Sequence, residues 1–98
     1  MAETTADAND GYEFLNHPAL EAALERVDWV FGIGARKYSP FGFLDAHSRS
    51  DEDYIAHAIQ HILKHQIGAP PDPDGHDHLP AAIADLLIVE ARRSYGND

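Results

Sequence analysis

The chain is expected to fold as an all-α domain of three main helices with long connecting loops, and three observations carry that expectation. Apolar residues recur at helical spacing in three separate stretches. Each stretch opens on a helix-start signal: Pro18, Ser50 followed by three acids, and His78 just before Pro80. The segments between them collect glycine, proline and serine. Ninety-eight residues fit one unit, read as a flexible N-terminal arm over 1–11 and a single helical domain over 12–95. At this size one core is barely sufficient, so the small bundle is expected to be completed by oligomerisation.

The first helix should begin at Asn16 or His17, because Pro18 at the first helical position has no N–H to leave unsatisfied. Leu20, Ala23, Leu24, Val27 and Phe31 then share one face, read as its core stripe, and Gly32 and Gly34 should end it. Tyr12, Phe14 and Leu15 are expected to pin the arm to the core. Residues 32–49 read as a loop with a helical turn near Phe43–Ala46. The second helix, capped by Ser50, should run to about Ile67 and bury Ile55, Ala58, Ile59, Ile62 and Leu63. Gly68 to Gly75 holds three prolines and cannot continue it. The third helix should start near His78–Pro80, bury Leu79, Ile83, Leu86 and Leu87, and end at Arg92 or Arg93.

Seventeen acids against seven bases give a formal charge of −10, which repels a phosphate backbone and argues against direct DNA or RNA binding. Divalent cations, or a basic protein surface, suit such a field. There is no cysteine, which removes disulfides and thiolate metal sites. No apolar run is long enough to span a bilayer, and the start lacks a secretory pattern, so no membrane association and a cytoplasmic location are expected.

Several groups of residues have the chemistry of a site. Glu21, Glu25 and Asp28 fall on one side of the first helix, and Glu25 with Asp28 has the spacing to share a hard cation such as Mg²⁺; an ordinary solvated face has the same pattern. His57, His61 and His65 recur every four residues on the second helix, beside Tyr54 and Lys64. Such a pair grips a transition metal, donates to phosphate, or simply bonds to nearby acids. Asp77 and His78 sit at the N-terminus of the third helix, and Asp85 lies two turns on from His78, about 10.5 Å away and too far for both to hold one ion. Glu90 interrupts the third apolar stripe and must pair, bind metal or reach solvent. Arg36, Lys37 and Tyr38 follow glycine in a loop suited to phosphate contact.

Taken in order, these pieces resemble a family found in phages, the dATP/dGTP diphosphohydrolase-like domains, related in style to the MazG-type nucleotide pyrophosphohydrolases. The resemblance covers roughly residues 20–90. Its most specific parts are Leu24-Glu25-Arg26-Val27 leading into Phe31-Gly32-Ile33-Gly34-Ala35-Arg36-Lys37-Tyr38, then Tyr54 to His61, then Asp72-Pro73-Asp74-Gly75-His76-Asp77-His78-Leu79 with Asp85 after it. It implies a Mg²⁺- or Mn²⁺-dependent enzyme, in the cytoplasm of a phage's host, that converts a purine deoxynucleoside triphosphate to its monophosphate and pyrophosphate. Glu25, Asp28, His78 and Asp85 would hold metal; His61 and Lys37 would be catalytic. Lys37, Tyr38, Tyr54, His57 and Asp72 would meet the purine deoxynucleotide.

The chain departs from the family pattern at four places. Phe41-Gly42-Phe43 stands where Asn-Trp is usual, Gln60 replaces an arginine, Ala81 a histidine and Asp85 an asparagine. These departures give weight to a second hypothesis, an acidic phage-type protein that binds and inhibits a basic host protein without catalysis. A third, an HD-like metal phosphohydrolase built on His61, His76-Asp77 and Asp85, normally needs more helices than this chain holds.

Overall fold

A computed structural model describes residues 10–37, 39–44 and 49–95. Among these residues there are three α-helices and no strand: α1 (Pro18–Lys37), α2 (Asp51–Gln66) and α3 (His78–Tyr95), with single 3₁₀ turns at Phe14–Asn16 and Gly42–Leu44. Most of the expected arm, Tyr38, and the end of the turn expected at Phe43–Ala46 lie outside the described residues. No described helix is long and apolar enough to cross a membrane.

Local chemistry sets the helix ends. The His17 ring Nδ1 accepts from the Ala19 N–H at 3.0 Å, capping α1 just before Pro18. Gly32 and Gly34 do not end that helix, which runs on to Lys37. A helical glycine costs about 1 kcal/mol relative to alanine. Burial of Ile33 between them, and the Phe31 ring packed 5.1 Å from Phe43, outweigh that cost. The Ser50 hydroxyl accepts from Asp53 N–H at 3.1 Å at the start of α2. Its far end closes with Ala69 N–H donating to Lys64 O and Gly68 N–H to His65 O, the Schellman pair, with Gly68 at φ +72°.

α3 is the central helix, packed on both α1 and α2. The pairs Asp51–Arg92, His57–Asp85 and His61–His78 show that α2 and α3 run antiparallel. The buried set of the three helices is unusual in composition. The buried apolar residues are Val27, Ile33, Ala58, Ala81, Ala82, Ala84 and Ile88, and beside them lie buried His61, His78, Asp85 and Arg92.

The expected core stripes are therefore corrected. Of the α2 stripe only Ala58 is buried, while Ile55, Ile59, Ile62 and Leu63 are exposed; on α3, Leu79, Ile83, Leu86 and Leu87 are all more than 40% exposed. On α1 Val27 is buried, but Leu20 and Leu24 are exposed, as are Tyr12, Phe14 and Leu15, which pin nothing. Glu90 reaches solvent and pairs with Arg93 at 2.8 Å. The physical reason lies in helix phase. At 100° per residue, the buried residues of α3 occupy an arc of about 200°, and the three leucines and Ile83 share the remainder with the exposed Glu90–Arg93 pair. In an antiparallel pair equal rotations from the contact line lead to the same side, so the aliphatic arcs of α2 and α3 form one bare face. Residues of α1 share cavity walls with Pro80, Ala84 and Ile88, on the opposite side of α3.

Candidate functional site

The proline segment between α2 and α3 folds because its sequence is a turn signature. Asp72-Pro73-Asp74-Gly75 closes with Gly75 N–H donating to Asp72 O at 2.8 Å, and Asp72 N–H to His76 O at 3.1 Å. Gly75 is required twice over. Its φ is +94°, and a Cβ there would stand 3.0 Å from the Trp29 ring. The turn draws Asp72, Asp74 and His76 together, with one ligand atom from each within 4.8 Å of the others. His76 Nδ1 lies 3.6 Å from the Asp74 carboxylate, and its Nε2 is buried without a hydrogen-bond partner. Lys64 Nζ approaches Asp72 at 4.0 Å.

Asp72, Asp74 and His76 line a cavity of 670 Å³ between α1, α2, α3 and the turn. His57 and Asp85 form part of its wall, as do the rings of Phe31, Phe43 and Tyr54. The mixed polar and aromatic lining suits a ligand with a charged end and a flat one. Arg49 also lines it, with its guanidinium 5.4 Å from the Tyr54 ring centroid.

Behind that wall, α2 and α3 exchange polar contacts. His57 Nδ1 and Asp85 Oδ2 are 2.9 Å apart, and His61 and His78 meet through their Nδ1 atoms at 2.9 Å. The i, i+4 histidines of α2 thus take different partners two turns apart on α3, which is why His78 and Asp85 need not touch. Burial first, and then the neighbouring His57, hold the His61 imidazole below the usual histidine range. Burial pushes the Asp85 carboxyl above the ordinary carboxylate range, opposed by its hydrogen bond with His57. His57, His61 and Asp85 form a second group with ligand atoms within 4.8 Å, and His61, Asp72 and His78 a third.

Of the residues expected to form the site, the structure brings together Tyr54, His57, Asp72 and Asp85 on the cavity wall. His61 and His78 are buried as a pair and are not among the lining residues. Glu25 and Asp28 are exposed on α1. Glu25 faces a separate cavity of 370 Å³ with Trp29 and Asp77, and neither acid joins a ligand group among the described residues. Lys37 closes α1 and Tyr38 lies outside the described residues.

Sequence reasoning gave no role to Asp74, and gave His76 a place only beside His78 and Asp77 as a candidate third zinc ligand and in the least favoured hypothesis. The turn signature around them was the available signal. It also read Arg92 only as a helix-end charge. Arg92 is buried, and it donates to the carbonyls of Phe43 and Arg49 and to Asp51, with its guanidinium 4.9 Å from the Tyr54 ring centroid. A family model described as dATP/dGTP diphosphohydrolase, N-terminal, matches residues 3–97. No curated protein and no solved structure matches the chain.

Proposed function

The chain belongs to the dATP/dGTP diphosphohydrolase N-terminal family, and from that premise we propose that it is a divalent-cation-dependent nucleotidase, splitting a purine deoxynucleoside triphosphate into monophosphate and pyrophosphate. The observation that carries this reading is the 670 Å³ cavity, lined both by the acids and histidine of one turn and by three aromatic rings. Phe31, Phe43 and Tyr54 offer faces for a base, and Arg49 offers a cation for phosphate oxygens.

The donor set of the turn fits a hard cation. Asp72 and Asp74 present carboxylates on one short loop, and Mg²⁺ or Mn²⁺ takes one or two such groups, with waters and phosphate oxygens completing the shell. When bound, the cation supplies charge neutralisation on the phosphates. The reading shifts this role to the turn from Glu25 and Asp28, which project from a different part of the surface. His76 lines the cavity with its Nε2 buried and unpartnered and Asp74 beside its other nitrogen, which suits it to take the proton of a water that displaces its neighbours at that atom. His61, buried against His78, acts through the packing of α2 on α3 rather than by touching substrate.

The bare aliphatic face belongs to the same reading. Eight leucine and isoleucine side chains of α2 and α3 are exposed on this face, an apolar surface suited to the core of a standard interface of roughly 800 Å² per partner. A second copy presenting its own antiparallel pair would complete a four-helix bundle with a two-fold axis. The chain therefore works as a homodimer.

The activity is tested by incubating the purified chain with each dNTP and Mg²⁺ or Mn²⁺ and resolving products by ion-exchange chromatography. Monophosphate and pyrophosphate should appear in equal amounts from a purine substrate. His76→Ala should slow turnover about 10²–10⁴-fold without loss of helicity. A folded protein that leaves every dNTP intact, or a His76→Ala variant of full rate, would remove the proposal.

A further inference from the structure

A metal-binding imidazole needs a fixed tautomer and a lone pair that no other group claims. His61 meets both conditions through a chain of contacts that ends on backbone. The Pro70 carbonyl only accepts, so His78 Nε2, 2.8 Å away, carries the hydrogen and donates to it. The His78 Nδ1 then serves as the acceptor, and the partner nitrogen 2.9 Å away, His61 Nδ1, donates to it. The remaining nitrogen, His61 Nε2, is left with its lone pair. It is buried, it has no hydrogen-bond partner, and the residue is 2% exposed.

An orphaned acceptor in a protein interior is costly, because it has given up its hydrogen bonds to water and gained none in return. The cost is explained if something with positive charge satisfies it. His61 stands in a group with His57 and Asp85, each bringing one ligand atom within 4.8 Å of the other two. His57 and Asp85 already approach to 2.9 Å. Two ligands of one Zn²⁺ sit at most about 4 Å apart, so small side-chain adjustments close the set around an ion. The ion would take the place of the proton now shared between His57 and Asp85.

We infer that His57, His61 and Asp85 form a site for a borderline transition ion of the Zn²⁺ or Co²⁺ class, distinct from the hard-cation site on the Asp72–Asp74 turn. Two imidazoles and one carboxylate favour such ions over Mg²⁺, which prefers an all-oxygen shell. The His61–His78–Pro70 chain is the outer shell that orients the ligand ring. His57 and Asp85 also line the cavity, so three protein ligands leave a fourth position facing it, the arrangement of a catalytic rather than a closed structural centre. This site stands on its own geometry and does not depend on the hydrolase reading.

The test is a Co²⁺ titration of the full chain after dialysis against a chelator, with Zn²⁺ and Mg²⁺ as competitors and circular dichroism to follow folding. The expected result is one tightly bound Co²⁺ per chain, ahead of any weaker binding at the Asp72–Asp74 turn, with a visible absorption band of imidazole coordination. Zn²⁺ should displace Co²⁺ at concentrations at least about 100-fold below those of Mg²⁺. His57→Ala and the shape-conserving Asp85→Asn should each weaken Co²⁺ binding about tenfold or more while keeping wild-type helicity. The proposal is overturned by a folded wild-type chain with no saturable Co²⁺ binding, by Mg²⁺ competing as well as Zn²⁺, or by both variants binding as tightly as wild type. Saturable binding in a chain that turns over no dNTP would keep this site and remove the hydrolase reading; Mg²⁺-driven turnover with no Co²⁺ binding would do the reverse.

Discussion

The Nε of Arg92 donates to the carbonyl oxygen of Phe43 at 2.7 Å, joining the last turns of α3 to the loop that walls the cavity. The same guanidinium donates to Arg49 O and Asp51 Oδ1. One planar, always-charged group thereby fixes both described ends of the segment between α1 and α2.

Replacing Arg92 with methionine keeps the apolar stem and removes these three hydrogen bonds. Stability should fall by about 2–4 kcal/mol, because two carbonyls lose charge-assisted partners. Urea unfolding followed by circular dichroism measures this, and a loss below about 0.5 kcal/mol would show the contacts to be incidental.

Gly75→Ala should strain the turn that gathers Asp72, Asp74 and His76. A left-handed residue with a Cβ costs about 1–2 kcal/mol, and the new methyl would press on Trp29. Trp29 is the single tryptophan, so its emission reports the turn directly. An unchanged spectrum together with unchanged stability would contradict the geometry.

The ion-free protein should lose stability as pH falls through the ordinary histidine value of 6.5. Below that point the unfolded chain takes up a proton that folded His61, with its lowered pKa, still refuses, so the unfolded state binds more protons and gains ground. Asp85 acts in the other direction: its raised pKa means that its contribution is lost as pH rises from about 3.8 through the folded value. Melting temperature should therefore drop between pH 7.5 and pH 5.5, and more steeply in wild type than in His61→Gln. Equal slopes in the two proteins would exclude His61 as the cause.

Introducing charge on the bare face, as Ile59→Glu with Ile83→Glu, should leave a monomer. Light scattering should give twice the 10.8 kDa chain mass for the wild type and the single mass for the variant, with helicity retained. A wild-type chain that is monomeric at high micromolar concentration would refute the dimer.

Much of the fold was legible because caps and breakers are local chemistry. Pro18, Ser50 and Gly68 mark their helix ends in the sequence and in space. The core was not, since 3.6-residue spacing reveals that Ile55, Ile59, Ile62 and Leu63 share a face but not which molecule covers it. The site was half legible for a related reason. His57, Asp72, His78 and Asp85 have conspicuous chemistry, yet their partners lie up to 28 residues away, and pairings at that distance follow from packing rather than spacing. Arg92 escaped notice because a basic residue near a helix C-terminus already has an ordinary explanation.

Ala58, Ala81, Ala82 and Ala84 give the helix interior its smallest possible side chains, and this sets a gauge for everything polar around them. Methyl groups let two backbones come near enough for short imidazole and carboxylate arms to meet. A family member with valine at one of these places would hold its helices further apart, and its histidines and acids would face one another across water.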